Sequence, residues 1–514
     1  MTPHLMTMAA ESGGVDAAIQ GVFGPVVDWL ETIVFFAVPI GGAELPLVVL
    51  WLFAAGIIMT VWMRVRPLGD AMQTLRIVRG HMSRHRDAGE VTSFQAMATE
   101  LAGTIGLGNI AGVAVAISIG GPGASLWIII AGVLGMSLKL VEATASQMFR
   151  RVNDDGTISG GPMYYLTDGL KSIGKPKTGK FLGYFYGIAF MFAAVGAGNI
   201  FQSNQITMHL VSITHSEDGW LGHNGWFVGL ILMIFAAAVV LGGLQSIATW
   251  TSRLVPLMSV VYAVAVLVIL GVNVSQVPEA LQLIVVRGLT GEGVTGGVIG
   301  VAIIGIQRAC FSNVAGVGTA GFAHSATKNH KPAEEGLVAA WEPFIDSVIV
   351  CTLTALAIVV TGQYGNADSD GIILTSQAFA SVNSFFPIVL SLSILLFGFS
   401  TVLSYAYYGR KAAGFVFGNN KVAERIYDIF YFIMVIVGAA VSLETVTRFS
   451  DALFFLVTIP NLVGLYFLGG VLRKEIKGYR EGVKAGRVKP VPKAERSTLM
   501  GDPMPEAVSE GAHS

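Results

Sequence analysis

The chain has 514 residues, 53% of them hydrophobic and 13% charged, with 63 glycines and a mean hydropathy of +0.66. That excludes a soluble globular protein and describes a polytopic membrane protein. A net charge of −1 gives no basis for nucleic-acid binding, and the two cysteines, Cys310 and Cys351, lie in apolar stretches and read as free core thiols rather than a disulfide framework.

Residues 1–42 form an N-terminal segment with no basic flank and early apolar run of the kind a cleavable signal peptide needs. Within it, Val22 to Val38 is mildly amphipathic, carries Asp28 and Glu31, and reads as an interfacial helix. About 20 apolar residues cross the hydrocarbon core. Segments of that kind are expected near 44–63, 95–119, 123–148, 181–211, 225–243, 254–274, 294–323, 338–361, 385–409, 426–446 and 450–470. The fold class is therefore all-α, with about eleven transmembrane helices. The tail 471–514 is basic, then Pro- and Glu-bearing, and is expected to be disordered beyond about residue 490.

Lys and Arg concentrate in alternate loops. Of the 32 in the chain, all but Lys139, Arg287, Arg308 and Arg448 fall on the side shared with the loop 64–90, while 212–224 and 362–384 have none. This bias predicts an outside N-terminus and a cytoplasmic C-terminus.

The segment 95–119 contains Gly103, Gly106, Gly108 and Gly112 within Gly-Thr-Ile-Gly-Leu-Gly-Asn-Ile-Ala-Gly-Val. Each Gly weakens a helix interior by roughly 1 kcal/mol relative to Ala, and non-helical backbone at membrane depth is tolerated only where it is buried in protein or lines a cavity. The expectation is a broken helix whose freed groups bind something. Close helix packing through Gly108 and Gly112 is the plainer alternative. Asn109-Ile110-Ala111-Gly112-Val113 recurs as Asn313-Val314-Ala315-Gly316-Val317 in the seventh segment. The two segments are five places apart in the chain, an odd offset, so the copies cross in opposite directions, which points to two inverted halves, 95–274 and 294–470, preceded by an extra helix at 44–63.

Half-helix ends at such breaks suit a carboxylate, and the N–H groups of Leu107 and Gly108, beside Asn109, are the candidates. Phe311 is either a wall of an apolar pocket or ordinary core. Ser312 and Asn313 offer polar groups for an ammonium. Charges within spans are functional by default. Lys139 and Glu142 are spaced to pair with each other. Glu100, one turn before the first break, is placed to pair with Arg308 near the second, as gate or strut. Glu342 and Asp346 share a helix face and could bind cations or protons. Nine histidines, mostly in loops, show no metal-ligand spacing.

Several stretches together resemble the alanine or glycine:cation symporters. They are Gly103–Gly112, Gly121–Ala124, Leu134-Gly135-Met136 with Lys139 and Glu142, Ser159–Tyr165, Gly198–Gln202, Phe311–Asn313 with Ala315-Gly316, Phe399–Thr401 with Tyr407–Gly409, and Ile459–Asn461. The resemblance implies a five-plus-five inverted repeat similar to the neurotransmitter:sodium symporters. It also implies sodium-coupled import of a small neutral amino acid across a bacterial or archaeal cytoplasmic membrane. It makes Ser400 and Thr401, with the carbonyls of Ala102 and Ile105, sodium ligands, and Gln202 a substrate ligand. The chain departs from the family pattern at Leu107, Val314, Tyr405 and Thr447. Proton coupling through Glu342 or Asp346, a larger amino acid, and a channel or sensor are the rival readings. No catalytic constellation for an enzyme is present.

Overall fold

Backbone inside hydrocarbon must satisfy its own N–H and C=O groups, and a helix does so within one segment. The computed structural model describes residues 15–500 apart from 41–42, 217–218, 293, 295, 366–370, 384 and 442. Its principal helices are α1 (Val15–Val34), α2 (Leu47–Met63), α3 (Pro67–Val78), α4 (Ser93–Thr104), α5 (Ala111–Gly120), α6 (Ala124–Met148), α7 (Pro176–Val195), α8 (Phe201–Ile213), α9 (Trp226–Val240) and α10 (Gly243–Val272). They continue with α11 (Val277–Thr290), α12 (Gly297–Asn313), α13 (Ala320–Ser325), α14 (Pro332–Ala339), α15 (Cys351–Val360), α16 (Ile372–Ala380), α17 (Phe386–Val416), α18 (Lys421–Gly438) and α19 (Leu443–Lys484). Two short antiparallel pairs, Ala37–Ile40 with Ala43–Pro46 and Arg151–Val152 with Ile158–Ser159, are the sheet structure among the described residues.

Six helical stretches among the described residues are long and apolar enough to cross a membrane, and seven when the bent pair α4–α5 is taken as one span. The apolar helices α2, α9 and α12 are shorter, and α18 carries Lys421, Glu424, Arg425 and Asp428 in its first half. Outward apolar faces such as Leu257, Val260, Val264 and Leu267 on α10 are spaced for lipid contact.

Several expected boundaries move. The helix expected to begin at residue 254 begins at Gly243, and the one expected at 338 begins at Pro332, burying Glu334 and Glu335. Burial costs a charged residue its hydration; here Ser93, His324 and Asn329 supply partners to Glu335. The helix read as interfacial ends at Val34, and its Asp28 and Glu31 both bind Arg448 of α19. Helices α11 and α16 were not expected. The first packs on α6, where Trp127 donates to the Gly288 carbonyl at 2.9 Å.

The bundle is interrupted at two places. α4 and α5 meet at 56° across Ile105–Ile110. α12 stops at Val314, a buried β-branched residue at φ 46°, and α13 resumes at Ala320. A residue of that type in the left-handed region is strained, so the second break is imposed by its surroundings. Wide π-turns at Gly196–Ile200 and Phe344–Val350 join α7 to α8 and α14 to α15, a local irregularity frequent at functional sites.

The tail corrects the expectation of disorder past residue 490. Up to Met500 it lies along the 81–95 segment: Val491 N–H bonds the His81 carbonyl at 2.8 Å and Ser497 N–H the Ser83 carbonyl at 3.0 Å. Thr92 and Gln95, which form a capping box at the start of α4, donate to the carbonyls of Leu499 and Met500 at 2.9 and 2.8 Å. The remainder, 501–514, lies outside the described residues, as do residues 1–14.

Candidate functional site

The two breaks touch. A Cβ added to Gly108 would sit 3.3 Å from the Phe311 ring and 3.4 Å from the Ser312 backbone. Beside that contact is a small cavity of about 10 Å³ lined by Gly103, Thr104, Gly106, Gly108, Ala197, Gln202, Phe311, Thr401, Tyr405 and Phe454. The Thr104 hydroxyl is buried there without a hydrogen-bond partner. Phe311 packs edge-on against Phe201, 4.8 Å between ring centroids, and Phe454 lies 5.6 Å away. Above Phe311, Arg308 stacks over its ring at 5.6 Å and forms an ion pair with Asp451 of α19.

Two of the backbone donors freed at the first break are already engaged. Gly106 N–H bonds the Asn109 side-chain oxygen at 3.1 Å, and Leu107 N–H bonds Gln202 Oε1 at 3.1 Å. Gln202 is itself held by the Ala197 carbonyl, 2.9 Å, inside the π-turn. The Leu107 side chain does not face the cavity; its Cδ1 lies against Gly398 of α17. Among the four family departures, Tyr405 lines the cavity, Val314 caps α12, and Thr447 is half-buried on α19.

Next to the cavity, the Ser400 and Thr401 hydroxyls lie 3.4 and 2.9 Å from the Ala102 carbonyl. Both also reach the Phe397 carbonyl of their own helix, at 2.9 and 3.0 Å. Each hydroxyl has one hydrogen. Donating it to Phe397 turns oxygen lone pairs toward Ala102, so the ordinary helix back-bond and a cation-facing oxygen cluster are compatible. Ile105, the fourth expected ligand, is the fully buried C-cap of α4.

Asn109, Ser312 and Asn313 do not line the cavity. They build a polar knot around Asp346: Asn109 Nδ2 donates to Oδ1 at 2.6 Å, and Ser312 and Ser347 donate to Oδ2 at 2.6 and 2.9 Å. Asn313 is tied to Ser347 at 2.9 Å. This knot joins both breaks to the π-turn of Phe344–Val350.

The expected charge pairs are replaced. Glu100 does not meet Arg308; it binds Lys139 of α6, Thr319 at 2.5 Å and Tyr408 at 2.6 Å. Lys139 and Glu142 do not pair with each other. Lys139 reaches Glu100, with Glu342 at 3.8 Å. Glu142 accepts from Gly316 N–H and Asn461, each at 2.9 Å, and so holds the second break. Tyr165 closes that clamp through Asn461. Glu342 and Asp346 serve different networks, because Glu342 faces His324 at 2.7 Å. His324, Glu335, Asn461 and Asp451 were not singled out by sequence as site residues. Asn461 and Tyr165 did lie in motifs that carried the family resemblance, whereas a lone histidine in a polar connection gave no signal.

The fold and the paired breaks define a multi-pass membrane transporter. The structure resembles that of MhsT, a transporter of the neurotransmitter:sodium symporter kind solved in complex with L-phenylalanine. The TM-score is 0.53 at 14% identity, covering 76% of this chain and 98% of that one. Residues 31–494 match the sodium:alanine symporter family, and the chain belongs to that family. Relatives include the sodium/alanine symporter AgcS of Methanococcus maripaludis, 35% identical over 443 residues, 85% of this chain and 94% of AgcS. The amino-acid carrier protein AlsT of Bacillus subtilis is 31% identical over 77% of this chain and 82% of its own. Its class is thus an inner-membrane amino-acid transporter and not an enzyme.

Proposed function

We propose that this protein imports a small neutral amino acid, alanine- or glycine-like, together with sodium by alternating access, with its N-terminus outside and its C-terminus cytoplasmic. The observation that carries the reading is the cavity at the first break. At about 10 Å³ it is closed down to about the size of one water, and Tyr405, Phe311 and Phe454 in its lining limit the side chain it could open to accept. Gln202 Oε1 occupies the Leu107 N–H as a substrate carboxylate would. The incoming carboxylate takes over that donor, with the neighbouring Gly108 N–H, and Gln202 turns to the substrate. The unpartnered Thr104 hydroxyl supplies a further polar contact. Sodium binds among Ala102, Ile105, Ser400 and Thr401.

Ion and substrate sites share the Ile105–Ile110 segment. Ordering by either favours the other, a coupling that is reciprocal by linkage. Arg308 and Asp451, with Phe311 beneath them, form the outer closure. The two halves, 95–274 and 294–470, move against each other as inverted repeats. The test is sodium-driven alanine and glycine uptake in proteoliposomes by the native chain and by Ser400→Ala plus Thr401→Ala. The double variant loses sodium stimulation; uptake that stays fully sodium-dependent rejects the ion assignment.

A further inference from the structure

At the end of the molecule bearing the 81–92 segment, one buried group is unused by this mechanism. His324 of α13 is fully buried, with Nδ1 2.8 Å from Glu335 Oε2 and Nε2 2.7 Å from Glu342 Oε1. A neutral imidazole donates from one nitrogen and accepts at the other, and a carboxylate only accepts. Two nitrogen–oxygen contacts of this length each need a hydrogen, so the trio holds one more proton than a neutral histidine with two carboxylates. The other oxygen, Glu342 Oε2, is buried without a hydrogen bond, 3.8 Å from Lys139.

We propose that His324, between Glu335 and Glu342, is a proton-binding site that takes up and releases its proton on the 81–92 side only, as the start of α4 closes and opens. The proton makes His324 an imidazolium. Every neighbouring element contributes a charged or titratable group. α6 brings Lys139 and, one turn further, Glu142; α4 brings Glu100, and α17 brings Tyr408, bonded to Glu100. From the end of α6, Arg150 lies beside Glu335 and donates to the carbonyls of Ser325, Thr327 and Asn329 at 2.8, 2.5 and 2.9 Å. With the proton in place, the positive charges on His324, Lys139 and Arg150 offset three of the four carboxylates Glu100, Glu142, Glu335 and Glu342. Without it, one more negative charge is buried uncompensated, which is costly.

Access explains the linkage. Glu335 is covered by Ser93, the first residue of α4, whose hydroxyl donates to Oε1 at 2.6 Å, and by Asn329 at 3.0 Å. Water reaches the trio only when Ser93 leaves. Nine residues along the same rigid half-helix, about 14 Å at 1.5 Å per residue, is Ala102 of the proposed sodium site. Swinging the start of α4 outward therefore exposes the proton site and moves the ion site together. A high pH on that side favours the open arrangement by extracting the proton. No proton crosses the membrane.

The inference rests on the transport reading, and its test separates the two. Sodium-driven alanine uptake is measured in oriented proteoliposomes with pH varied from 6 to 9 on each side independently, and a pH dye in the lumen follows protons. The native rate rises with pH on the 81–92 side, toward the limit of tenfold per unit that one linked proton sets, and is flat with pH on the other. His324→Gln and Glu342→Gln are flat on both. A native rate indifferent to pH on that side, a profile retained in His324→Gln, or protons accompanying alanine across overturns the proposal. In parallel, nitrogen-15 histidine NMR of the full native chain, without substrate, shows one imidazolium persisting to pH 9. Its absence rejects the site even if the variants fail to fold. Its presence without alanine uptake rejects the cargo and leaves the site standing.

Discussion

Replacing Gly106 by Ala separates the ion-site reading from simple packing. Its backbone, φ −114° and ψ −157°, is open to any residue, so only the added methyl matters. That Cβ would sit 2.6 Å from Thr401 Oγ1 and 3.3 Å from Gln202 Oε1. The hydroxyl must retreat by about 0.8 Å to reach the 3.4 Å of ordinary contact, and overpacking of this kind costs about 1–3 kcal/mol. Falling on the sodium-bound arrangement, that is a loss of about 5–150-fold in sodium affinity. Gly112, in the same stretch, meets nothing within 4 Å. Gly112→Ala gains up to about 1 kcal/mol of helix propensity and leaves transport unchanged. The assay is the half-saturating sodium concentration for alanine uptake, read beside the thermal midpoint. Adding Thr401→Ala to Gly106→Ala relieves the clash and restores the midpoint without restoring sodium dependence. If Gly106→Ala keeps the native half-saturating concentration, Thr401 is not an ion ligand and the reasoning fails.

Other perturbations have equally definite outcomes. Gly198→Ala places a methyl 2.1 Å from the Tyr405 ring, displacing that ring in the cavity; uptake drops more than tenfold by tracer assay, and native uptake would show that Tyr405 does not shape the site. Arg308→Ala strands Asp451, which is nearly buried, and destabilises by about 3–5 kcal/mol. Arg308→Ala with Asp451→Ala recovers most of it in a thermal melt, and a double variant as unstable as the single one contradicts the pairing. Ending the chain at Pro490 removes the bonds from Thr92 and Gln95 to Leu499 and Met500, each worth about 1 kcal/mol. Limited proteolysis of the 81–92 segment then accelerates; an unchanged rate means the tail does not brace it. The same docking is pH-dependent. Burial, then the charges of Arg496, Arg79 and Arg76, hold His81 below its ordinary 6.5. A lowered histidine pKa gives stability that is present above the unperturbed value and lost as pH falls below it, so proteolysis of the native chain quickens below about pH 6.5 and the truncated chain does not respond.

Much of the fold was legible locally. Apolar run length marks a helix that must satisfy its backbone without water, and four glycines within ten residues mark where that helix gives way. The repeat of Asn-Ile-Ala-Gly-Val as Asn-Val-Ala-Gly-Val pointed to the second break. These are properties of neighbouring residues, and so are the family motifs and the loop charge bias. The partners of the buried charges were not legible. Lys139 and Glu142 are one turn apart, which favours a pair on an isolated helix. In the bundle they serve different helices, because Lys139 meets Glu100 and Glu142 meets Gly316 and Asn461. A buried charge binds whatever packing brings to it across tens or hundreds of residues, and no spacing rule carries that distance.

Leu107 illustrates the division. Its place between two glycines predicted a carboxylate-binding N–H, and its side chain is one of the four departures from the family pattern. Packing sends that side chain to Gly398 and gives the N–H to Gln202, so the cavity is shaped by Tyr405 and Phe311 instead. His324, and the tail bracing α4, had no local signature at all. The sequence by itself determined that this is a helical membrane transporter broken at two points, since hydropathy, glycine content and repetition act over one helix. Which oxygens, nitrogens and charges face one another at those breaks was decided only by the tertiary packing of helices distant in the chain.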